Sequence, residues 1–356
     1  MMGISAYADV SPTNETNAAV AAVSTNGTNA VAEAVDEMSA LTPKEQVERC
    51  LLEFAKSKGD GFKYGVLNEK ADEIYYAAIS PVFSVGTNDT RATVRQMAFN
   101  RAFTGILLRR AMATFAYSAS FDSPDGGVAG GILTEDDPGV SAAERIEFPV
   151  PGMSAEKTCV CVSADGKLVV GVIVKADSPR DDVACRAAEG VRPSIERKEG
   201  VPFKKLLDVT DDQLAMKFGT AFYYNEKGEP ELMSFGHWSI GAAPDSNSRA
   251  KCEAKAFAQA EAAAQDSLST FLSGVVSARI MRDKGLFGKQ TASWTFSSRA
   301  RSRGVQLVAR KVLRLSTGEE EAFVALRLPV WSFPKERPEQ KAEPAKAGTT
   351  DKQYDF

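Results

Sequence analysis

The feature that most constrains this chain is an internal duplication. Slid against itself by 158 residues, RATVRQMAFNRA (Arg91 to Ala102) lies over RAKCEAKAFAQA (Arg249 to Ala260), with identity at Arg, Ala, Ala, Phe and Ala. The flanks repeat in the same order. Each segment follows an apolar strand-like run, AAISPVFSVG or ELMSFGHWSIG, and a turn holding helix-capping residues, Asp89-Thr90 or Asp245 to Ser248. A hairpin follows each predicted helix: KTCVCVS, Ala164-Asp165-Gly166 and KLVVGVIVKA in the first half, VQLVARKVLRL, Ser316-Thr317-Gly318 and EAFVALRLPVW in the second. Such strands bury their apolar faces only if the helix lies across them. The expected fold is therefore α+β, with two related β-α-β-β modules, each a small antiparallel sheet packed by one long Ala-rich helix.

Boundaries follow from composition. Residues 1–43 read as a disordered leader, because residues 9–42 are rich in Ala, Thr, Asn, Ser and Val and hold no Lys or Arg. The modules occupy 44–178 and 200–333, joined by a connecting segment at 179–199. The stretch 334–356, dense in Pro, Lys, Glu and Gln, reads as a disordered tail. Thr42 is placed to cap a helix beginning at Pro43, with Val47, Leu51, Leu52 and Phe54 on its apolar face. In the second long helix, Ala250, Ala254, Phe257, Ala264, Leu268, Phe271 and Val275 make the expected core stripe. A further helix is expected near Asp181 to Gly190, and a hairpin turning at Lys227-Gly228.

Composition then removes function classes. With 43 basic and 47 acidic residues the chain is not a globally basic nucleic-acid protein. His237 is the one histidine, which leaves His-rich zinc sites and His-dependent triads without raw material elsewhere. Its setting between Gly236 and Trp238 in a strand predicts a half-buried structural residue. The five cysteines contain no CxxC pair, and Cys159 and Cys161 fall on one face of a strand, too constrained for a mutual disulfide; they read as small core residues. No run reaches the roughly 18 to 20 apolar residues of a membrane helix. The pattern Ala6-Tyr7-Ala8 before Asp9 has the form of a signal-peptidase site and points to export, although no basic or apolar stretch precedes it; the competing reading is a chance Ala-rich match in a cytoplasmic chain.

The helix RAKCEAKAFAQAEAAAQDSLSTFLSG, followed by GVQLVARKVLRLSTGEEEAFVALRLPVW, resembles the LPP-type bacterial lipoprotein and flagellar-assembly-protein module, over residues 231–333 and more faintly 72–176. MSFGHWSIGAAPDSNSRA also resembles bacterial proteins carrying such modules. The resemblance implies a periplasmic or envelope setting and a structural or assembly role, with no catalytic residues to carry over. In one departure from the family pattern, no lipobox cysteine lies near residue 1.

One local feature carries chemistry. Between Arg279 and Arg314 stand Arg279, Arg282, Lys284, Lys289, Arg299, Arg301, Arg303, Arg310, Lys311 and Arg314 against a single acid, Asp283, with Trp294 and Phe296 among them. Such an excess can hold an anionic polymer or phospholipid headgroups through counterion release, with the rings as stacking groups. Its structural counterpart is a solvated strand face paired with acids such as Glu319 to Glu321. The glycine cluster Asp125 to Gly131 lacks the Lys-Ser/Thr of a phosphate loop, and Glu135 to Asp137 lack the spacing of a calcium loop. Three readings compete: a non-catalytic envelope scaffold acting through protein contacts or self-association, with no cofactor; a polyanion-binding module; and an enzyme of unrecognised type, which needs His237 gathered with carboxylates in a concave pocket.

Overall fold

A computed structural model describes residues 41–57, 67–68, 73–85, 90–122, 140–283, 290–298 and 304–335. The architecture is α+β, built on small antiparallel sheets. The first half runs α1 (Pro43–Ser57), β1 (Leu67–Asn68), β2 (Glu73–Ile79), β3 (Phe83–Ser84), α2 (Arg91–Asp122), β4 (Val140–Pro149), β5 (Ser154–Val162) and β6 (Lys167–Asp177). After α3 (Ser178–Ala188), the second half runs α4 (Phe203–Leu207), α5 (Asp211–Leu214), β7 (Gly219–Tyr224), β8 (Pro230–Ser239), α6 (Ser246–Ser273), β9 (Gly274–Asp283), β10 (Gln290–Ser298), β11 (Gln306–Arg314) and β12 (Glu320–Leu328), closed by a 3₁₀ turn at Val330–Ser332.

The two halves share one topology. In the first sheet β1 pairs with β2, β2 with β6 and β6 with β5; in the second β7 pairs with β8, β8 with β12 and β12 with β11, every pairing antiparallel. β3 continues the β2 side of β6, where Phe83 stands opposite Leu168. The strand after each long helix leaves its own sheet. β4 from the first half pairs with β9 from the second, Phe148 opposite Val276, and β10 completes a third sheet made from both halves. A strand-helix-strand-strand repeat alone did not predict this shared sheet.

Both main sheets are covered on two faces, which explains why β6 reads KLVVGVIVKAD without polar alternation. Leu168, Val170, Val172 and Val174 face α2, packing with Phe99, Ile106 and Leu107. Val169 and Ile173 face α1, with Val47 and Leu51. Gly171 lets α1 approach: a Cβ there would stand 2.4 Å from Val47 Cγ1. The second sheet repeats the plan, Ala322, Val324 and Leu326 facing α6 while Phe323 and Ala325 pack with Leu214 and Ala215.

Two expected helix faces shift. In α1, Val47, Leu51 and Ala55 are buried while Leu52 is exposed. In α6 the N-terminal half buries Ala256 and Ala260, leaving Ala250 and Ala254 exposed, before the expected Ala264, Leu268 and Phe271; Val275 lies in β9. The reason is Gly236 of β8: a Cβ there would meet the Ala260 carbonyl oxygen at 1.9 Å. The helix backbone docks directly on the strand at that point, and this contact fixes the helix phase.

Candidate functional site

A buried polar seam joins the halves. Alternation along β8 turns Gly236 toward α6 and His237 to the opposite face, against Phe218 and Phe323. His237 is fully buried. Its Nδ1 lies 3.0 Å from Glu321 Oε1, and its Nε2 donates to the Lys217 carbonyl at 2.6 Å. Glu321, on β12 two residues from Phe323, the register partner of His237, takes a charged hydrogen bond from Arg95 of α2 on its other oxygen. Gln96 of α2 accepts from the His237 backbone N–H at 3.2 Å. One turn earlier Arg91 pairs with Glu319, and Thr93 and Ser239 exchange backbone-to-hydroxyl bonds. The first turns of the first-half helix are thus bolted to two strands of the second-half sheet.

Electrostatics follows from burial. Desolvation pushes the Glu321 carboxyl up, but the Arg95 guanidinium and the His237 hydrogen bond outweigh it, holding the group below the ordinary carboxylate range. For Glu319 desolvation wins over Arg91 and Arg95, and its carboxyl is raised. Arg95 Nε is buried with no hydrogen-bond partner, so Arg95 serves Glu321 through one edge of its fork.

His237 is therefore more enclosed than its sequence setting predicts, and it does have a carboxylate partner. Both ring nitrogens are engaged and the ring has no exposed surface, so a substrate cannot reach it without opening the seam. Neither of the two cavities described below is lined by His237.

The predicted basic segment is only partly described. Arg279 and Arg282 lie on β9, where the backbone is described, while Lys284, Lys289, Arg299, Arg301 and Arg303 fall outside the described residues. Arg310 is exposed on β11, its guanidinium 4.7 Å from the Phe257 ring centroid of α6. Lys311 pairs with Asp211 at 3.0 Å and Arg314 with Glu320 at 3.2 Å. The strand-face reading accounts for those two. Residues 125–131 and 135–137 also lie outside the described residues.

A second buried carboxylate borders the larger cavity, about 460 Å³, lined by Phe203, Arg327 and Trp331 among others. Glu231 accepts from Tyr223, Asn225 and, side-on, from Nε and Nη2 of Arg327, which itself stacks 4.6 Å from Phe203. Burial opposes its ionisation, yet Arg327, Tyr223 and Asn225 hold it below the ordinary range. Burial and the Glu231 hydrogen bond push the Tyr223 phenol well up. The smaller cavity, about 270 Å³, shares Trp331 and is lined by Arg186, Arg192 and Lys335.

The cysteines correct an expectation. Cys159 is a core residue, but it is also bonded to Cys50, a disulfide tying α1 to β5 across 109 residues of sequence. Cys161, buried on the same face, donates to Gln46 one helical turn before Cys50. The spacing Gln46–Cys50 on a helix face against Cys159–Cys161 on a strand face was the available signal, but it required knowing that α1 lies on β5. Burial raises the Cys161 thiol, keeping it protonated and unreactive. Among the described residues no group of three or more His, Cys, Asp or Glu is placed to hold a metal ion, and no helix is long and apolar enough to cross a membrane.

No family model matches the chain, and no curated protein matches it. Among solved structures, it is similar to the crystal structure of hypothetical protein FTT1539c from Francisella tularensis. The TM-score is 0.48 at 13% identity, with 81% of this chain and 91% of that chain covered.

Proposed function

We propose that this chain is a non-catalytic scaffold of the bacterial cell envelope, acting through protein contacts or self-association. The observation that carries the reading is the sealed seam. The one histidine, the group best suited to acid–base work near neutral pH, has both ring nitrogens consumed by Glu321 and the Lys217 carbonyl, beside the Arg95–Glu321 pair that joins the halves. The Cys50–Cys159 bond supports an oxidising compartment, since such bonds persist in the periplasm and are rare in the cytosol. Strands β5 and β11, each paired on one side among the described residues, offer edges for association. The LPP-type resemblance of residues 231–333 agrees with an assembly role.

The test uses the native protein in its own cells: fractionation, N-terminal sequencing and thiol trapping in each fraction. An envelope-resident chain with Cys50 and Cys159 oxidised is the expected result. A chain found wholly in the cytoplasm with both thiols reduced overturns it. The exposed guanidinium of Arg310 favours a second reading, in which the basic 279–314 segment holds a polyanion; binding that persists undiminished as salt rises eliminates it.

A further inference from the structure

We propose that the pocket between the C-terminal end of α3 and the chain after β12, formed by Arg186, Arg192 and Lys335 beside Trp331, binds a phosphate dianion carried by a larger ligand. The pocket encloses about 270 Å³, and Trp331, Pro193, Ser194 and Ile195 complete its lining, so three cationic residues line it with no acid in the wall. Lys311, Arg314, Arg249 and Arg197 each have a carboxylate partner. Arg186 and Arg192 have none among the described residues; their bonds go to carbonyls.

Those bonds fix the guanidinium groups in place. Arg186 donates through Nε to the Arg192 carbonyl at 2.5 Å and through Nη2 to that of Lys335 at 3.2 Å. Arg192 donates through Nε to the Phe333 carbonyl at 3.2 Å, and its guanidinium lies 5.3 Å from the Trp331 ring centroid. Each guanidinium has five N–H donors, so most remain for a ligand. Two positioned forks and an ammonium supply more charge and more donors than one carboxylate uses. A phosphate monoester, with nearly two negative charges and three strong acceptor oxygens, matches them. Holding the donors in advance removes part of the ordering cost of binding. The site is independent of the scaffold reading and separate from the 279–314 segment.

Calorimetric titration of the full chain with inorganic phosphate and phenyl phosphate, alongside flotation with phosphatidic acid vesicles against phosphatidylcholine vesicles, tests it. Saturable binding of the soluble phosphates identifies a solute ligand, and binding confined to phosphatidic acid vesicles identifies a lipid headgroup. In either case Arg192→Gln is expected to weaken binding about tenfold or more. Lys335→Ala, which keeps every backbone contact, should weaken it in the same direction. Arg310→Gln should leave it unchanged. Absence of binding in both arms overturns the proposal, as does equal binding by wild type, R192Q and K335A; loss on R310Q would place the anion on the basic segment instead.

Discussion

Replacing Glu321 with Gln is the sharpest probe of the seam. Glu321 and His237 are fully buried and the Arg95 side chain nearly so. The carboxylate accepts from both, and Glu321→Gln keeps the shape while deleting the charge that balances Arg95. Leaving one buried charge uncompensated costs roughly 3–5 kcal/mol. At about 2–4 °C per kcal/mol, the melting temperature should fall by about 6–20 °C. Circular dichroism melting at neutral pH reads this directly. The acid dependence carries the sign. The folded-state pKa of Glu321 is depressed, so its contribution is complete above the unfolded carboxylate value, about 4.3, and disappears as pH falls through the folded value. The gap between wild type and variant should therefore close on acidification. Replacing the pair together, Arg95→Met with Glu321→Leu, should cost less than E321Q alone, because the Arg95 guanidinium is no longer left buried without its carboxylate. An E321Q melting temperature within about 1 °C of wild type, or a gap that widens in acid, refutes the account.

Three further outcomes follow from the packing. Reducing the Cys50–Cys159 bond, or replacing both with Ser, reopens a loop spanning 109 residues, and loop-closure entropy puts the loss at about 5 kcal/mol in urea titrations with and without reductant. Gly236→Ala drives a Cβ into the Ala260 carbonyl and should destabilise by about 3 kcal/mol or more, whereas Gly241→Ala, with nothing within 4 Å, should stay within about 0.5 kcal/mol on the same assay. Arg314→Ala removes an exposed pair with Glu320 and should change unfolding free energy by no more than about 1 kcal/mol, less at high salt.

What the sequence determines by itself is local. The Thr42 cap forms with Glu45 bonding back to it, as Thr-Pro-x-Glu predicts. Gly166, Gly228 and Gly318 take positive φ in the three hairpin turns that their positions mark. The repeat itself is visible, because strand, cap, helix and hairpin each depend on neighbours a few residues away. Tertiary structure decided the rest. The phase of α6 depends on Gly236, which no helical periodicity contains. The pairing of β4 with β9 and the bond from Cys50 to Cys159 depend on where the halves dock. Arg95 meets Glu321 across 226 residues of sequence, and His237 gains its carboxylate only because β8 and β12 are neighbours. Periodicity and turn chemistry act over one or two turns of chain. A buried charge chooses its partner through space, and only the packed sheets bring those distances to a hydrogen bond.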